Sequence, residues 1–160
     1  MRLRDWLEKW NLTGLKLTVP FLEMEWAPGD PDRDAAWDLY VELLTRITTQ
    51  PLPADHGDER TALDSVHALF GLTRDVLKQR GRQATEFAKI AIAVLNQVVR
   101  PFTAKWHRAS LAGAFSDTRR CGEFRGELTA LQAQLRIYSR MLADLAGVED
   151  LTSLASDGAG

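Results

Sequence analysis

The stretch DPDRDAAWDLYVELLTRITTQ, residues 30–50, decides the fold class of this chain. Its apolar side chains recur every three or four residues, which is the period of an α-helix. On a helical projection they cover well over half of the circumference and leave a narrow polar strip of Asp34, Asp38, Glu42, Thr45 and Thr49. A helix that is apolar on most sides is buried among other helices. We therefore predict a helix from Asp30 to about Gln50 that is the most enclosed element of an all-α protein.

Three further long helices are expected from the same spacing. They run from about Asp58 to Arg80, from about Gln83 through the segment around Pro101, and from about Asp117 to Gly147. The N-terminal sequence MRLRDWLEKW adds a short amphipathic helix over residues 1–10. Because the connections are short, neighbouring helices should be antiparallel, and the predicted architecture is an up-and-down bundle of four long helices.

The composition is that of a globular domain without a strong charge bias. The 160 residues are 45% hydrophobic and 26% charged, with a formal net charge of -2, which is ordinary for a soluble domain. We predict one helical domain over residues 1–155 and a flexible tail over residues 156–160. Cys121 is the only cysteine, and no apolar run approaches the ~20 residues that cross a bilayer. We therefore expect a cytoplasmic protein without membrane contact.

One segment departs from the helical pattern, and we call it the arm. It covers residues 15–26 and follows Gly14 in the stretch GLKLTVPFLEMEW. Apolar residues alternate with polar ones as in a strand, but the alternation changes phase beside Pro20. Three interpretations stay open: an extended arm lying over the helices, a two-stranded ribbon folded back on itself, or an edge offered to a second molecule. The first is preferred, because an isolated ribbon is only marginally stable.

Motifs of catalysis or metal binding are not evident. The chain has no glycine-rich phosphate loop, no paired cysteines and no closely spaced histidines. The acidic stretch DPDRD, residues 30–34, resembles the start of a calcium loop but lacks the glycine and distal glutamate. We interpret Asp30 as an N-cap with Pro31 at the first helical position. Cys121 and His67 are interpreted as structural residues. No cofactor or metal is expected.

The segment NQVVRPFTAKWHRAS, residues 96–110, is the preferred functional surface because Pro101 lies inside a helical pattern. A bend at this proline would redirect the side chains that follow it. The predicted partner-binding residues in this segment are Arg100, Phe102, Thr103, Trp106 and His107. Apolar residues of the arm complete the prediction, namely Leu22, Met24 and Trp26.

A cluster of basic residues is expected where the last two helices meet. A phosphate backbone would contact Lys105, Arg108, Arg119, Arg120 and Arg125. The competing interpretation is that these cations lie at helix ends and on solvated faces, which the slightly negative net charge favours.

The sequence thus predicts a non-enzymatic interaction or regulatory module that binds a protein partner or associates with itself. Its support is the set of aromatic residues expected at the surface, Trp6, Trp10 and Trp26, together with the unmatched arm. The alternative is a small helical subunit of a nucleoprotein assembly that contacts RNA or DNA backbone.

Overall fold

The computed structural model describes residues 1–155 of the chain. The described residues form six α-helices, which are α1 Leu3–Asn11, α2 Asp30–Leu44, α3 Glu59–Arg80, α4 Thr85–Val94, α5 Arg100–Leu111 and α6 Thr118–Ala146. Irregular segments join α1 to α2 and α2 to α3, while short 3₁₀ turns and one π-turn join the later helices. Within the described residues no strand forms. The predicted all-α class is confirmed, and α4 with α5 make up the third of four long helical segments. The up-and-down order of the bundle stays a prediction.

Helix α2 lies at the centre of the packing. It contacts α6, α3 and α4, and all six helices contribute buried residues to one core. The face of α2 toward these neighbours is made of small and large apolar side chains, Ala35, Ala36, Leu39, Tyr40 and Leu43. The small residues let the neighbouring helices approach α2 closely, and the core therefore forms along this face.

A buried carboxylate connects the beginnings of two helices. Asp32 is almost fully buried, and its Oδ2 accepts a hydrogen bond from the backbone N–H of Gly29 at 2.8 Å. Its Oδ1 accepts one from the backbone N–H of Phe87 in the first turn of α4 at 2.9 Å. Asp32 therefore satisfies free N–H groups at the start of both helices. The expected capping role of Asp30 is corrected, because Gly29 is the N-cap residue and Asp32 supplies the capping side chain.

The predicted end of α2 near Gln50 is wrong, since the helix ends at Leu44. The hydroxyls of Thr48 and Thr49 both donate to the carbonyl of Leu43, at 2.8 and 2.6 Å. Threonine side chains that bond nearby carbonyls compete with the helical pattern and favour turns. From α6, the buried Gln132 donates to the carbonyls of Ile47 and Gln50 and fixes this connection on the core.

The segment around Pro101 contains a π-turn, Leu95–Val99, between α4 and α5. The backbone N–H of Arg100 bonds the carbonyl of Leu95, five residues back. Pro101 consequently lies in the first turn of a new α-helical segment, where its missing N–H does little harm. Val94 and Val99 are both buried, so two successive core positions are five residues apart at the π-turn. The core-facing side chains of α5 follow from Val99 and continue to face the core.

Aspartate and glycine set three further helix ends close to the predicted bounds. Asp58 caps α3 by accepting from the backbone N–H of Thr61 at 2.8 Å, and Asp117 caps α6. Gly147 ends α6 with a φ of 70°, a left-handed conformation that glycine adopts without strain. These ends agree with the predicted bounds to within one or two residues.

The arm lies over the helices as an irregular segment, with Leu15 and Val19 buried. Its one bridge in the described part of the chain joins Arg2 to Glu25, so the strand-like character expected for residues 15–26 is not observed. Instead, Gln97 of the π-turn accepts from the backbone N–H of Thr18 and donates to its carbonyl. The side-chain amide of Gln97 thus pairs with the backbone of Thr18 as a neighbouring strand would.

No helix within residues 1–155 is long and apolar enough to cross a membrane. The tail predicted for residues 156–160 lies outside the described residues.

Candidate interaction surface

The outer side of α2 carries a second set of apolar residues that no neighbouring helix covers. Trp37 and Val41, four residues apart and so one above the other on the helix, are 43% and 41% exposed. After α6, the chain returns beside them and places Leu151 and Leu154 nearby. We call these four side chains the Trp37 surface. The helix was expected to be the most enclosed element of the fold, and this apolar face of α2 is not enclosed.

Two depressions flank Trp37 and Val41, which form a ridge between them. The first is an apolar depression of about 290 Å³, lined also by Tyr40, Leu44, Thr45, Leu151 and Leu154. The second, of about 480 Å³, lies between α2 and α3 and contains Asp38, Glu42, Leu72, Asp75, Val76, Gln79 and Arg80. A ridge between two concave regions offers an approaching side chain contact on several sides, as in the central part of protein interfaces.

The C-terminal part of the Trp37 surface is held by Tyr40. The backbone N–H of Leu151 donates to the Tyr40 hydroxyl, which itself donates to Asp150 Oδ1 at 3.3 Å. Burial raises the pKa of Tyr40 above its ordinary value, while the bond from Leu151 acts in the opposite direction. The ring of Tyr40 also lies 5.9 Å from that of Trp37. These contacts place the segment after α6 against α2.

Acidic groups outnumber basic ones along the second depression. Arg80 bonds Asp38 at 2.6 Å and lies 3.8 Å from Asp34, so one guanidinium group faces two carboxylates. The hydrogen bond with Asp38 raises the pKa of Arg80 above its ordinary value. Glu42 pairs with Arg46 at 3.0 Å. Asp75 is exposed and has no ion-pair partner among residues 1–155.

The predicted partner-binding residues after Pro101 are mostly core residues, which corrects that part of the site. Phe102 and Thr103 are buried, and Trp106 is fully enclosed. The indole ring of Trp106 stacks on Phe115 at 6.1 Å and meets Phe124 of α6 edge-on at 5.2 Å. The apolar residues after Pro101 are out of line with the apolar stripe of α4 on a regular helix. The five-residue spacing of the π-turn compensates for this offset, so that these side chains face the core. Trp106 and Phe102 therefore join α5 to α6.

The other two residues predicted in this segment remain at the surface. Arg100 is exposed, donates to Asn96 Oδ1 at 3.1 Å and lies over the ring of Phe70 at 4.7 Å. His107 is half-buried, with its ring 4.8 Å from that of His67 on α3. This histidine pair connects α3 with α5, and the separate positions of His67 and His107 in the sequence gave no sign of it.

The lowered pKa of His107 makes the stability of the fold depend on pH. Burial, and next the neighbouring His67, lower the pKa of His107, and Arg60 acts in the same direction while Asp64 opposes them. The unfolded chain therefore takes up a proton at a higher pH than the folded chain does. The stabilisation that neutral His107 contributes is complete above the unfolded pKa of about 6.5 and is lost as pH falls through the folded pKa.

We accordingly expect the free energy of unfolding to fall between about pH 7.5 and about pH 5.5. His107→Gln should flatten this dependence, as measured by urea unfolding at each pH. His56→Gln is the matched control, since His56 is exposed in the loop before α3. Equal slopes for the parent protein and the His107 variant would contradict the assignment.

The predicted basic cluster is largely neutralised by carboxylates within the chain. Lys105 pairs with Glu127 at 2.6 Å, and Arg120 and Arg119 both face Glu123. Lys105 and Arg120 also lie over the Trp106 ring, at 5.2 and 5.0 Å, and cover it from solvent.

Arg125 has a structural position within the same cluster. It bonds Glu59 at 2.8 Å and the carbonyls of Pro53 and Gly57, both at 3.1 Å, so it fixes the loop before α3. Arg108 and Arg119 are exposed. The cations expected to contact phosphates thus have partners in the chain, apart from Arg108, for which no partner occurs within residues 1–155.

The aromatic residues expected at the surface near the N-terminus are also mostly buried. Trp6 stacks on Trp26 at 4.7 Å, and its indole N–H donates to Asp144 at 2.7 Å. Trp26, predicted to bind a partner, is therefore a buried residue. Met24 is exposed and Leu22 half-buried, and both give their backbone carbonyls to the start of α1.

A third concave region lies between the arm and α4, with a volume of about 360 Å³. Its walls include Val19, Phe21 and Ile92, and Lys89 lies over the Phe21 ring at 5.4 Å. The ammonium group of Lys89 already bonds Glu86 at 2.7 Å. The region is therefore apolar with a neutralised charge at one side.

Within residues 1–155, no group of three or more metal-binding side chains is placed to hold an ion. No family model matches the chain, and no curated protein or solved structure is significantly similar to it.

Proposed function

We propose that this protein is a non-enzymatic helical interaction module that binds another protein through the Trp37 surface. The observation that carries the proposal is the exposed second apolar face of α2. A helix with apolar side chains on both sides needs neighbours on both sides. In the described chain α2 has neighbours on its inner side, while Trp37 and Val41 on the outer side stay half-exposed.

The chemistry of the Trp37 surface supports this role. Tryptophan is among the residues most enriched where alanine substitution weakens a protein complex, and such residues lie in well-formed central regions. Trp37 lies on the ridge between two depressions, with Leu151 and Leu154 beside it. Leu12 and Leu111, although 94% and 85% exposed, border none of the described depressions and are isolated apolar residues of the kind most proteins have.

The nucleoprotein alternative has weaker support. Backbone binding depends on cations that are free to replace the counterions of phosphates. Lys105, Arg120 and Arg125 are already paired with carboxylates in the chain.

Crosslinking at the surface tests the proposal. A photoreactive amino acid at position 41 should capture a partner from an extract of the native host, and Trp37→Ala should prevent the capture. The same group at position 111 is the control, because Leu111 is exposed on α5 and lines none of the depressions described above. Equal capture from both positions would show that the contact is not specific to the Trp37 surface.

The affinity for the captured partner measures how much binding free energy the Trp37 surface contributes. Trp37→Ala with Val41→Ser should cost about 2–4 kcal/mol of binding free energy, roughly a 30- to 1,000-fold rise in Kd. The matched variant Leu12→Ser with Leu111→Ser should leave Kd unchanged, as measured by titration calorimetry. If the two double variants bind equally well, the partner uses another surface and the proposal fails.

A further inference from the structure

We infer that the segment which occupies the Trp37 surface is a cationic amphipathic helix of a different protein. This inference rests on the proposed function and adds the chemistry of the partner. The shape of the surface, its charge and its poor fit to a second copy of the chain all support such a partner.

The shape favours a helix. The ridge of Trp37 and Val41 and the depression between α2 and α3 run along helices, with side chains repeated every four residues. Such rows accept the ridges of another helix, whose own apolar residues repeat at three- and four-residue spacing. The apolar depression beside Leu154, about 290 Å³, has room for large apolar side chains of that helix.

The charge favours lysine and arginine at the edge of that helix. Asp34, Asp38 and Glu42 follow one another every four residues along α2, a row of about 12 Å. Asp75 lines the same depression as Asp38 and Glu42. Arg80 and Arg46 neutralise only part of this set, because Arg80 serves two carboxylates and Asp75 has no ion-pair partner in the described part of the chain. Cations with a four-residue spacing would match the row.

The same charges disfavour a second copy as the occupant. In a two-fold dimer through this surface, the same patch of each protomer faces that of its partner. The carboxylates of Asp34, Asp38 and Asp75 would then approach like charges, which is unfavourable at an interface. We therefore assign the surface to a different protein, with opposite charge.

Two fluorescent synthetic peptides test the inference. Both are helical, 18 residues long and carry the same leucine face, but one has Lys and Arg beside that face and the other has Glu. We expect the cationic peptide to bind the full-length protein at least tenfold more tightly than the anionic one at low salt, as measured by fluorescence anisotropy. The ratio should fall as salt screens the exposed charges.

Variants show whether the preference comes from this surface. Asp34→Asn with Asp75→Asn should reduce the ratio of the two affinities severalfold. Glu8→Gln with Asp55→Asn changes the net charge equally at exposed positions elsewhere and should leave the ratio unchanged. Trp37→Ala should weaken binding of both peptides, because it removes part of the shared apolar contact.

Several outcomes would overturn the inference. Equal affinity for both peptides, lost in Trp37→Ala, would leave the proposed interaction function standing but refute a cationic partner. Binding of neither peptide would show that a helix does not fit the surface. An equal loss of preference in both double variants would mean that only the overall charge matters. A dimer in sedimentation analysis that Trp37→Ala dissociates would assign the surface to a second copy.

Discussion

Trp106→Ala should destabilise the folded protein by about 3–5 kcal/mol, the usual cost of removing a buried aromatic side chain. Trp106 is fully enclosed, and its ring contacts Phe115 and Phe124. The substitution would leave a cavity between α5 and α6 and remove these aromatic contacts. Urea unfolding followed by circular dichroism measures the change.

Two further variants make this expectation specific. Trp106→Phe should cost clearly less, because it keeps an aromatic ring and removes a buried indole N–H that has no acceptor within residues 1–155. Trp37→Ala should change stability far less than Trp106→Ala, since Trp37 is half-exposed. A small effect of Trp106→Ala, comparable with that of Trp37→Ala, would place Trp106 at the surface after all.

Asp32→Ala should destabilise the protein by about 2–4 kcal/mol, the summed cost of two lost helix caps and one buried N–H without an acceptor. The substitution removes the acceptors for the N–H groups of Gly29 and Phe87. Loss of one helix cap costs about 0.5–2 kcal/mol, and here two helices lose a cap. The N–H of Phe87 would in addition be left buried without a partner, which adds to the cost.

The neighbouring aspartate provides the control for this prediction. Asp30 is also in the first turn of α2, but its carboxylate is exposed and lies 3.6 Å from an exposed Arg33. Asp30→Ala should therefore have a much smaller effect than Asp32→Ala in the same unfolding experiment. Similar losses for the two variants would indicate that the negative charge near the helix start matters, and not the two hydrogen bonds.

Local signals in the sequence were sufficient for the class of the fold and for most helix ends. Asp58, Asp117 and Gly147 act through groups within a few residues, and these interactions can be predicted from the order of residues. The predicted end of α2 near Gln50 lies beyond the observed end at Leu44. Threonine is compatible with a helix, and the sequence does not show that the hydroxyls of Thr48 and Thr49 bond the carbonyl of Leu43. The second bond of Asp32 joins residues 55 positions apart and has no local signal.

The candidate site was harder to predict than the fold. The apolar residues of α2 were recognised, but a helical projection does not show how many neighbours the chain has available to cover them. Trp37 fits the apolar stripe of its helix, whereas Trp106 falls to one side of such a stripe, yet the packing leaves Trp37 exposed and encloses Trp106. The sequence places Trp106 in the partner-binding surface because a bend at Pro101 would redirect it, whereas the π-turn before the proline keeps its side chain in the core.

The π-turn at Leu95–Val99 has the geometry of a single inserted residue. Without it, the buried positions before and after the turn would follow one another at regular helical spacing, and Val94 would be followed by a core residue four places on. In an alignment, a homologous chain that has a regular helix here would need a gap of one residue within the turn. The inserted length also carries Gln97, whose amide holds the arm at Thr18. Loss of the insertion would therefore preserve the core and shift the amide that holds the arm at Thr18.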